Sequence, residues 1–210
     1  MNPDTYLVTG AALSPGRSTR EVVEAALAGG VDAIQLREKA ATARERYKLG
    51  LELRELTVDR DVSLIVNDRV DIAAAIDADG VHVGDEDLPV SVARDQLGPA
   101  ATVGRSVSTV EGAKAAEAAG ADYLGVGAVF GTDSKATDSE IGLDRVRAIS
   151  TAVSVPVVGI GGVTVENAGK VIRAGADGVA VISAITAADD PETATRRLGE
   201  AVASAHADAG

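Results

Sequence analysis

Apolar runs and alanine-rich stretches alternate along the whole chain. Short runs rich in Val, Ile and Leu predict buried strands at residues 6–9, 33–36, 63–66, 80–83, 102–104, 123–126, 155–159 and 178–181. Between the strands, Ala, Leu and Val recur three and four residues apart, which predicts amphipathic helices at 19–28, 44–58, 110–119, 165–174 and 191–205, among others. The pattern is therefore that of an α/β protein.

This alternation predicts a single (β/α)8 TIM barrel. A strand–helix unit repeated eight times in about 200 residues is typical of such a barrel, and an open doubly wound sheet is the alternative. The barrel is favoured because no Gly-x-Gly-x-x-Gly motif follows the first strand, and because polar residues follow most strands. No linker divides the chain, so we expect one domain over residues 1–210, although length alone permits two small domains.

Composition and charge narrow the classes of function. The chain has no Cys, which excludes disulfides, thiolate zinc sites and a thiol nucleophile. No signal-like segment and no apolar stretch of about 18 residues is present, so we expect a cytoplasmic protein that does not span a membrane. The net charge of -12 argues against binding to nucleic acid. The acidic excess fits ordinary solubility or a saline cytoplasm, and the low number of lysines favours the saline interpretation.

Candidate functional residues follow the second strand. Gln35, Arg37 and Lys39 alternate along the chain, so they are expected to face one side. Arg37 offers a planar fork to a phosphate and Lys39 a point charge, and the carboxyl ends of barrel strands line the active site. An ion pair between Arg37 and Glu38 at the strand end is an equally acceptable interpretation.

Carboxylates follow the next two strands. Asn67 and Asp68 end the third strand, and Asp87 lies in the acidic segment after the fourth. Mg²⁺ takes one or two protein carboxylates and completes its octahedron with water and phosphate oxygens, so Asp68 and Asp87 together predict a magnesium site. Singly, each would more often cap the following helix. His82, inside the fourth strand, is interpreted as a packed core histidine.

Two later regions suggest anion binding. Residues 127–138 form a long irregular segment with hydroxyl groups and Lys135, which is expected either to close over an anion or to be a flexible surface loop. Glycine-rich residues 159–162 and the segment 181–185 end the last two strands, as in the phosphate sites of such barrels. Tight packing of the turns is the competing explanation for these glycines.

Taken together, these motifs resemble the thiamine phosphate synthase family. The resemblance runs in order from about Tyr6 to Ile185. It is carried by Gln35-x-Arg37-Glu38-Lys39, Asn67-Asp68-Arg69, His82-Val83-Gly84-x-Glu86-Asp87, Gly104-x-Ser106, Gly125-Val126-Gly127, Lys135, Gly159-Ile160-Gly161-Gly162 and Ile182-Ser183-Ala184-Ile185. The family implies a Mg²⁺-dependent transferase that joins 4-amino-5-hydroxymethyl-2-methylpyrimidine diphosphate to a thiazole phosphate, yielding thiamine phosphate and pyrophosphate.

The resemblance also implies a division of the site. The residues expected to hold the pyrimidine diphosphate are Gln35, Arg37, Lys39, Asn67, Ser106 and Lys135. Those expected to hold the thiazole phosphate are Thr132, Ser134, Gly162, Ile182 and Ser183. Asp68 and Asp87 are expected to bind the metal. The partners are thus small-molecule substrates, with a homo-oligomer as a further possibility, and no protein nucleophile is expected because the thiazole nitrogen attacks the methylene group.

The chain departs from the family pattern at two places. Gly131 stands where relatives usually have Pro, and Ser134 where they have Thr. Ser108 stands where relatives often have His, which disfavours a thiazole tautomerase-like function. A non-catalytic phosphate-binding barrel also fits the strand-end glycines. A phosphate-using isomerase or epimerase would need a general acid–base pair, which fits the motifs less well than diphosphate departure does.

Overall fold

Eight parallel strands close into a barrel in sequence order, with β1 paired to β8. A computed structural model describes residues 3–131 and 139–209 of the chain. The strands are β1 (Thr5–Val8), β2 (Ala33–Leu36), β3 (Ser63–Asn67), β4 (Gly80–Val83), β5 (Thr102–Val107), β6 (Tyr123–Val126), β7 (Val157–Ile160) and β8 (Gly178–Val181). The predicted (β/α)8 TIM barrel is confirmed, and the open doubly wound sheet is wrong because the first and last strands are hydrogen-bonded.

Helices alternate with the strands around the barrel. They are α1 (Thr19–Ala28), α2 (Ala43–Val58), α3 (Val70–Ala75), α4 (Val90–Leu97), α5 (Val110–Ala118), α6 (Ser139–Ala152), α7 (Ala168–Arg173), α8 (Ser183–Thr186) and α9 (Pro191–Ala209). Capping boxes begin α1 and α2, where Ser18 and Thr42 exchange hydrogen bonds with Glu21 and Glu45. Within the described residues, no helix is long and apolar enough to cross a membrane.

Two apolar layers hold the barrel together. The smaller layer fills the barrel interior and includes Tyr6, Ile65, Tyr123 and Val158. The larger layer lies between the strands and the helices, and Leu7 belongs to it. Successive strand residues point to opposite faces, so Tyr6 and Leu7 contribute to different layers. Both faces of each strand are thus buried, which explains the continuous apolar runs in the sequence.

Aspartates join the strands in pairs at the amino-terminal end of the barrel. Each even-numbered strand is preceded by an aspartate whose carboxylate accepts a hydrogen bond from a backbone N–H group of the odd-numbered strand before it. The four bonds run from Thr5 to Asp32 at 2.8 Å, from Leu64 to Asp79 at 2.8 Å, from Val103 to Asp122 at 2.6 Å and from Val157 to Asp177 at 2.8 Å. Two of these aspartates end a Gly-Ala-Asp sequence, at residues 120–122 and 175–177, and all four have a structural role at the barrel end opposite the strand carboxyl ends.

Candidate active site

A polar cavity opens where β2, β3, β4 and β5 end. Its lining includes the predicted residues Arg37, Lys39, Asn67, Asp68, Asp87 and Ser106. Parallel strands present their carboxyl ends at one rim, so side chains that are far apart in sequence meet there. The cavity measures about 490 Å³ and combines two cationic side chains with several carboxylates.

The side chains of Asp68 and Asp87 line the same cavity, and the Asp87 carboxylate lies close enough to Asp68 to raise the pKa of its carboxyl group. Asp68 adopts a left-handed backbone conformation with φ of 64°, and the Asp87 carboxylate also accepts a hydrogen bond from the Gly84 N–H group at 2.6 Å. Among the described residues, Arg69 and Pro89 occupy the N-cap positions of α3 and α4, without side-chain capping bonds. A helix-capping role for the two aspartates is therefore wrong, and the two acidic groups converge.

The electrostatics of this pair reflect the close approach of two negative charges. Burial raises the pKa of the Asp68 carboxyl group above its usual value, and the neighbouring Asp87 carboxyl group raises it further. The positive charges of Lys39 and Arg37 lower the same pKa in turn. A bound cation would favour the ionised form of the Asp68 carboxyl group.

Glu38 is directed away from this cavity. Its carboxylate accepts hydrogen bonds from the Ala11 N–H group at 3.0 Å and from the Thr19 hydroxyl group at 2.9 Å. Glu38 therefore has partners of its own and does not need an ion pair with Arg37. Arg37 instead lines the polar cavity and the two cavities next to it, whose linings are more apolar.

A second cavity lies at the centre of the barrel, and it is lined by a series of hydrogen-bonded side chains that is buried except at Ser106. The series, which we call the Gln35–Ser106 chain, consists of Gln35, Tyr6, Tyr123, His82 and Ser106. Its bonds measure 2.9 Å from the Gln35 amide nitrogen to the Tyr6 hydroxyl, 2.9 Å between the two tyrosine hydroxyls, 2.9 Å from Tyr123 to His82 Nδ1, and 2.8 Å from His82 Nε2 to Ser106. All five residues line the central cavity.

Three members of the Gln35–Ser106 chain were not predicted as site residues. His82 is buried, as expected of a core histidine, but both of its ring nitrogens are hydrogen-bonded and it lines the cavity. Burial, the largest cause, together with the charge of Arg105, lowers the pKa of His82 to about 4, so the ring is neutral at neutral pH. Tyr6 and Tyr123 lie in apolar strands, and their only sequence signal is that aromatic residues are rare in this chain.

A third cavity borders β7 and β8. The predicted residues Gly162, Ile182 and Ser183 line it, next to Gly161. Both glycines have positive φ angles, 100° for Gly161 and 66° for Gly162. A Cβ atom on Gly162 would lie 2.8 Å from Phe130 Cβ, and one on Gly161 would lie 2.9 Å from Ala128 Cα. Packing against the segment after β6 therefore requires both glycines, and their role in phosphate binding stays a prediction.

Three of the predicted residues, Thr132, Ser134 and Lys135, lie outside the described part of the chain. The remaining predicted residues all line one of the three neighbouring cavities. Within residues 3–131 and 139–209, no cluster of three or more potential metal-binding side chains occurs. The metal candidate is accordingly the two-carboxylate pair, which fits a hard cation that also binds water and phosphate oxygens.

Comparison with known proteins identifies the family. A family model for thiamine monophosphate synthase matches residues 5–185. The chain belongs to this family. Thiamine monophosphate synthase relatives include a thiamine-phosphate synthase from Natronomonas pharaonis, which is 71% identical over 200 residues that cover 94% of both chains. A thiamine-phosphate synthase from Haloarcula marismortui is 63% identical and covers 95% of this chain and 96% of its own.

A solved structure extends the comparison to the fold. Thiamine phosphate pyrophosphorylase from Pyrococcus furiosus has 45% sequence identity to this chain, with a TM-score of 0.87 over 96% of both chains. The thiamine monophosphate synthase family thus matches this chain in sequence and in fold over nearly its full length. The family resemblance predicted from the sequence motifs is confirmed.

Proposed function

We propose that this chain catalyses the transferase reaction of its family with Mg²⁺ bound at Asp68 and Asp87. In this reaction, 4-amino-5-hydroxymethyl-2-methylpyrimidine diphosphate and a thiazole phosphate give thiamine phosphate and pyrophosphate. The observation that carries the proposal is that Asp68 and Asp87 line one cavity together with Arg37 and Lys39. Two carboxylates and two cationic side chains at one rim suit a departing diphosphate, whose negative charge grows as it leaves.

The carboxylate pair fits a magnesium ion by the chemistry of its donors. Asp68 and Asp87 offer oxygen ligands only, and two adjacent carboxylates that repel each other are stabilised by a shared cation. When bound, Mg²⁺ would neutralise charge on the diphosphate oxygens. Arg37 and Lys39 supply further positive charge at the same cavity, Arg37 through a planar fork and Lys39 through a compact ammonium group.

The substrates divide between the neighbouring cavities. We assign the pyrimidine ring to the central cavity and its diphosphate to the polar cavity. The described residues assigned to the pyrimidine diphosphate are Gln35, Arg37, Lys39, Asn67 and Ser106. The third cavity, with Gly162, Ile182 and Ser183, would take the thiazole phosphate. Lys135, Thr132 and Ser134 complete these two sets by family resemblance alone.

In this reaction the protein positions the two substrates and stabilises the departing diphosphate, and it supplies no nucleophile. The thiazole nitrogen forms the new bond to the pyrimidine methylene carbon, and the bond from that carbon to the diphosphate oxygen breaks. Asn67 and Ser106 border both the central and the polar cavity, so they stand where the methylene group and the diphosphate would meet. Holding the two reactants at this point supplies most of what the reaction needs.

Three further properties follow as proposals. We infer that the barrel over residues 1–210 acts as one domain, that it works in the cytoplasm, and that it forms a homo-oligomer. The substrates are small molecules, and the surface has the acidic excess that disfavours nucleic acid. Size-exclusion chromatography with light scattering tests the oligomer, for which a monomer at all concentrations would be the contradicting result.

Pyrophosphate release tests the proposed reaction. We expect release only when both substrates are present, and we expect excess EDTA to abolish it and added Mg²⁺ to restore it. Release that persists undiminished in EDTA would defeat the metal-assisted mechanism. Binding of the thiazole phosphate without any turnover would instead support the non-catalytic phosphate-binding barrel, and isomerisation of a thiazole without pyrophosphate release would support a tautomerase-like function.

A further inference from the structure

The donor and acceptor types in the Gln35–Ser106 chain determine which group donates in each of its hydrogen bonds. The amide nitrogen of Gln35 can only donate, and it lies 2.9 Å from the Tyr6 hydroxyl oxygen. Tyr6 therefore accepts this bond and has one hydrogen of its own to give. Its other partner in the chain is the Tyr123 hydroxyl at 2.9 Å, so Tyr6 donates to Tyr123.

The same reasoning fixes the tautomer of His82. Because Tyr123 accepts from Tyr6, its hydrogen goes to His82 Nδ1, 2.9 Å away. A neutral imidazole carries one N–H group, which must then be at Nε2, where it donates to the Ser106 hydroxyl oxygen at 2.8 Å. Ser106 thus accepts from His82 and keeps its own hydrogen for a group in the cavity.

Burial keeps this arrangement in place. Tyr6 is 2% exposed, Tyr123 is fully buried and Gln35 is 5% exposed, so water does not compete for their polar groups. Two glycines make room for the central rings. A Cβ atom on Gly104 would lie 2.2 Å from Tyr123 Cζ, and one on Gly125 would lie 3.0 Å from His82 Cε1. The rings of the chain are therefore closely packed against the backbone of β5 and β6.

We propose that the Gln35–Ser106 chain orients the substrate in the barrel through the fixed direction of its hydrogen bonds. This direction leaves a hydrogen-bond acceptor at one end of the series and a donor at the other. One end presents the amide oxygen of Gln35, an acceptor suited to an amino group. The other end presents the Ser106 hydroxyl hydrogen, a donor suited to a phosphate oxygen. This rests on the proposed function, in which the ligand is an aminopyrimidine diphosphate. Tyr6, Tyr123 and His82 are positioning residues, since they act through Gln35 and Ser106.

Because each bond fixes the direction of the next, the ring substituent that binds at Gln35 affects phosphate binding at Ser106. A ligand with an oxo group in place of the amino group would need the Gln35 amide turned around. The Tyr6 hydrogen would then go to Gln35, and every later bond would reverse in turn. His82 would carry its hydrogen at Nδ1, and Ser106 would donate to His82 Nε2 instead of to the phosphate. Discrimination at the ring therefore changes the strength of phosphate binding at the far end.

Nitrogen-15 NMR of the histidine rings tests the direction without any substrate. The protein contains two histidines, His82 and His206, so the His206→Gln variant assigns both sets of signals. We expect a pyridine-type signal for Nδ1 of His82 and a pyrrole-type signal for Nε2. A Gln35→Glu variant at about pH 9, where a carboxyl group is ionised, can only accept from Tyr6. It should reverse the tautomer to Nδ1–H.

A double variant tests whether the signal travels through the tyrosines. Adding Tyr6→Phe to Gln35→Glu interrupts the series of bonds, so Tyr123 again donates to His82 and the tautomer should return to Nε2–H. If the double variant keeps the reversed tautomer, the effect is not transmitted through Tyr6. The inference also falls if wild-type His82 carries its hydrogen at Nδ1, or if Gln35→Glu leaves the tautomer unchanged.

Kinetics test the consequence for substrate binding. In Tyr123→Phe, we expect the KM for the pyrimidine diphosphate to rise about tenfold, as for loss of an oriented hydrogen bond to a charged group, and the KM for the thiazole phosphate to change less than about twofold. Tyr47→Phe is the matched control, because Tyr47 is 40% exposed and outside the site. Equal changes in both KM values would indicate a merely structural role and overturn the inference.

The two assays fail separately. Normal pyrophosphate release with the Nδ1–H tautomer in the wild type would contradict the inference and leave the proposed function standing. The Nε2–H tautomer with its reversal in Gln35→Glu, but without pyrophosphate release, would contradict the proposed function and leave the direction of the Gln35–Ser106 chain standing.

Discussion

Asp68 and Asp87 show at the scale of single residues how function can oppose stability. Two neighbouring carboxylates repel each other when both are ionised, and the partial burial of Asp68 raises the free-energy cost of its ionisation. A structure that keeps such a pair needs a compensating positive charge. Arg37 and Lys39 supply part of it, and the remainder is what a bound cation would contribute.

The Asp68→Ala variant separates activity from stability. We expect turnover to fall about a hundredfold or more, because a metal ligand is lost, and the unfolding midpoint to change little, because a repelling charge is lost with it. Pyrophosphate release and thermal unfolding provide the measurements. Asp71→Ala is the control, since Asp71 is exposed and pairs with Arg69. Equal losses of fold and activity in Asp68→Ala would mean that Asp68 has a structural role.

His82 predicts a pH dependence of stability. Its folded pKa, about 4, lies below the ordinary value of about 6.5, so the unfolded state binds a proton first as the pH falls. The stabilisation is fully present above about pH 6.5 and is lost progressively toward about pH 4, by up to about 3 kcal/mol.

Urea unfolding of the wild type and of His82→Gln across this range measures the contribution of His82. The carboxyl groups titrate in both proteins, so the difference between the two curves isolates the histidine. His206→Gln serves as the control, because His206 is exposed. Parallel curves for wild type and His82→Gln would show that burial does not hold His82 neutral.

At the scale of elements, local patterns predicted α1, α2, α5 and α9 but gave no range for the 14-residue α6, and they predicted a strand overlapping each of the eight observed. The predicted ends of α1, β2, β4, β6 and β8 agree with the structure. The short helices α3 and α8 were not predicted, because four to six residues are too few for a helical period to show, whereas the six-residue α7 was predicted too long, at 165–174. Strand β5 was predicted at 102–104 but continues to Val107, which places Ser106 inside the strand and beside His82.

The aspartates before the even-numbered strands form hydrogen bonds to the odd-numbered strands, which predicts that these aspartates stabilise the pairing of neighbouring strands. Asp177→Ala leaves the Val157 N–H group without its 2.8 Å partner, so we expect a loss of about 1–3 kcal/mol in the free energy of unfolding. The activity of the folded fraction should be unchanged, since Asp177 lies at the opposite end of the barrel. Urea unfolding measures the loss, and Asp95→Ala in α4 is the exposed control. Equal stability of the two variants would contradict the pairing role.

At the scale of the whole molecule, surface charge predicts a response to salt. With a net charge of -12, like charges repel each other more strongly in the folded state, where they are closer together, than in the unfolded state. Salt at about 1 M shortens the screening length to about 3 Å and so weakens this repulsion. We expect the unfolding midpoint at pH about 7.5 to rise with NaCl, and the rise to shrink at about pH 4.5, where carboxyl groups take up protons. A midpoint that falls with salt at neutral pH would count against the saline interpretation.

The sequence by itself determined the fold class and the family. Strand and helix periods are local properties, and the strand-end motifs that carry the family resemblance are short segments. Closure of the barrel decided which of these segments meet. It brings the hydroxyl groups of Tyr6 and Tyr123, which are 117 residues apart, to 2.9 Å from each other. It also places His82, which is buried, between Tyr123 and Ser106, with a hydrogen bond to each. Hydrogen bonds depend on ångström distances between strands that are remote in the chain, and only the closed barrel sets those distances.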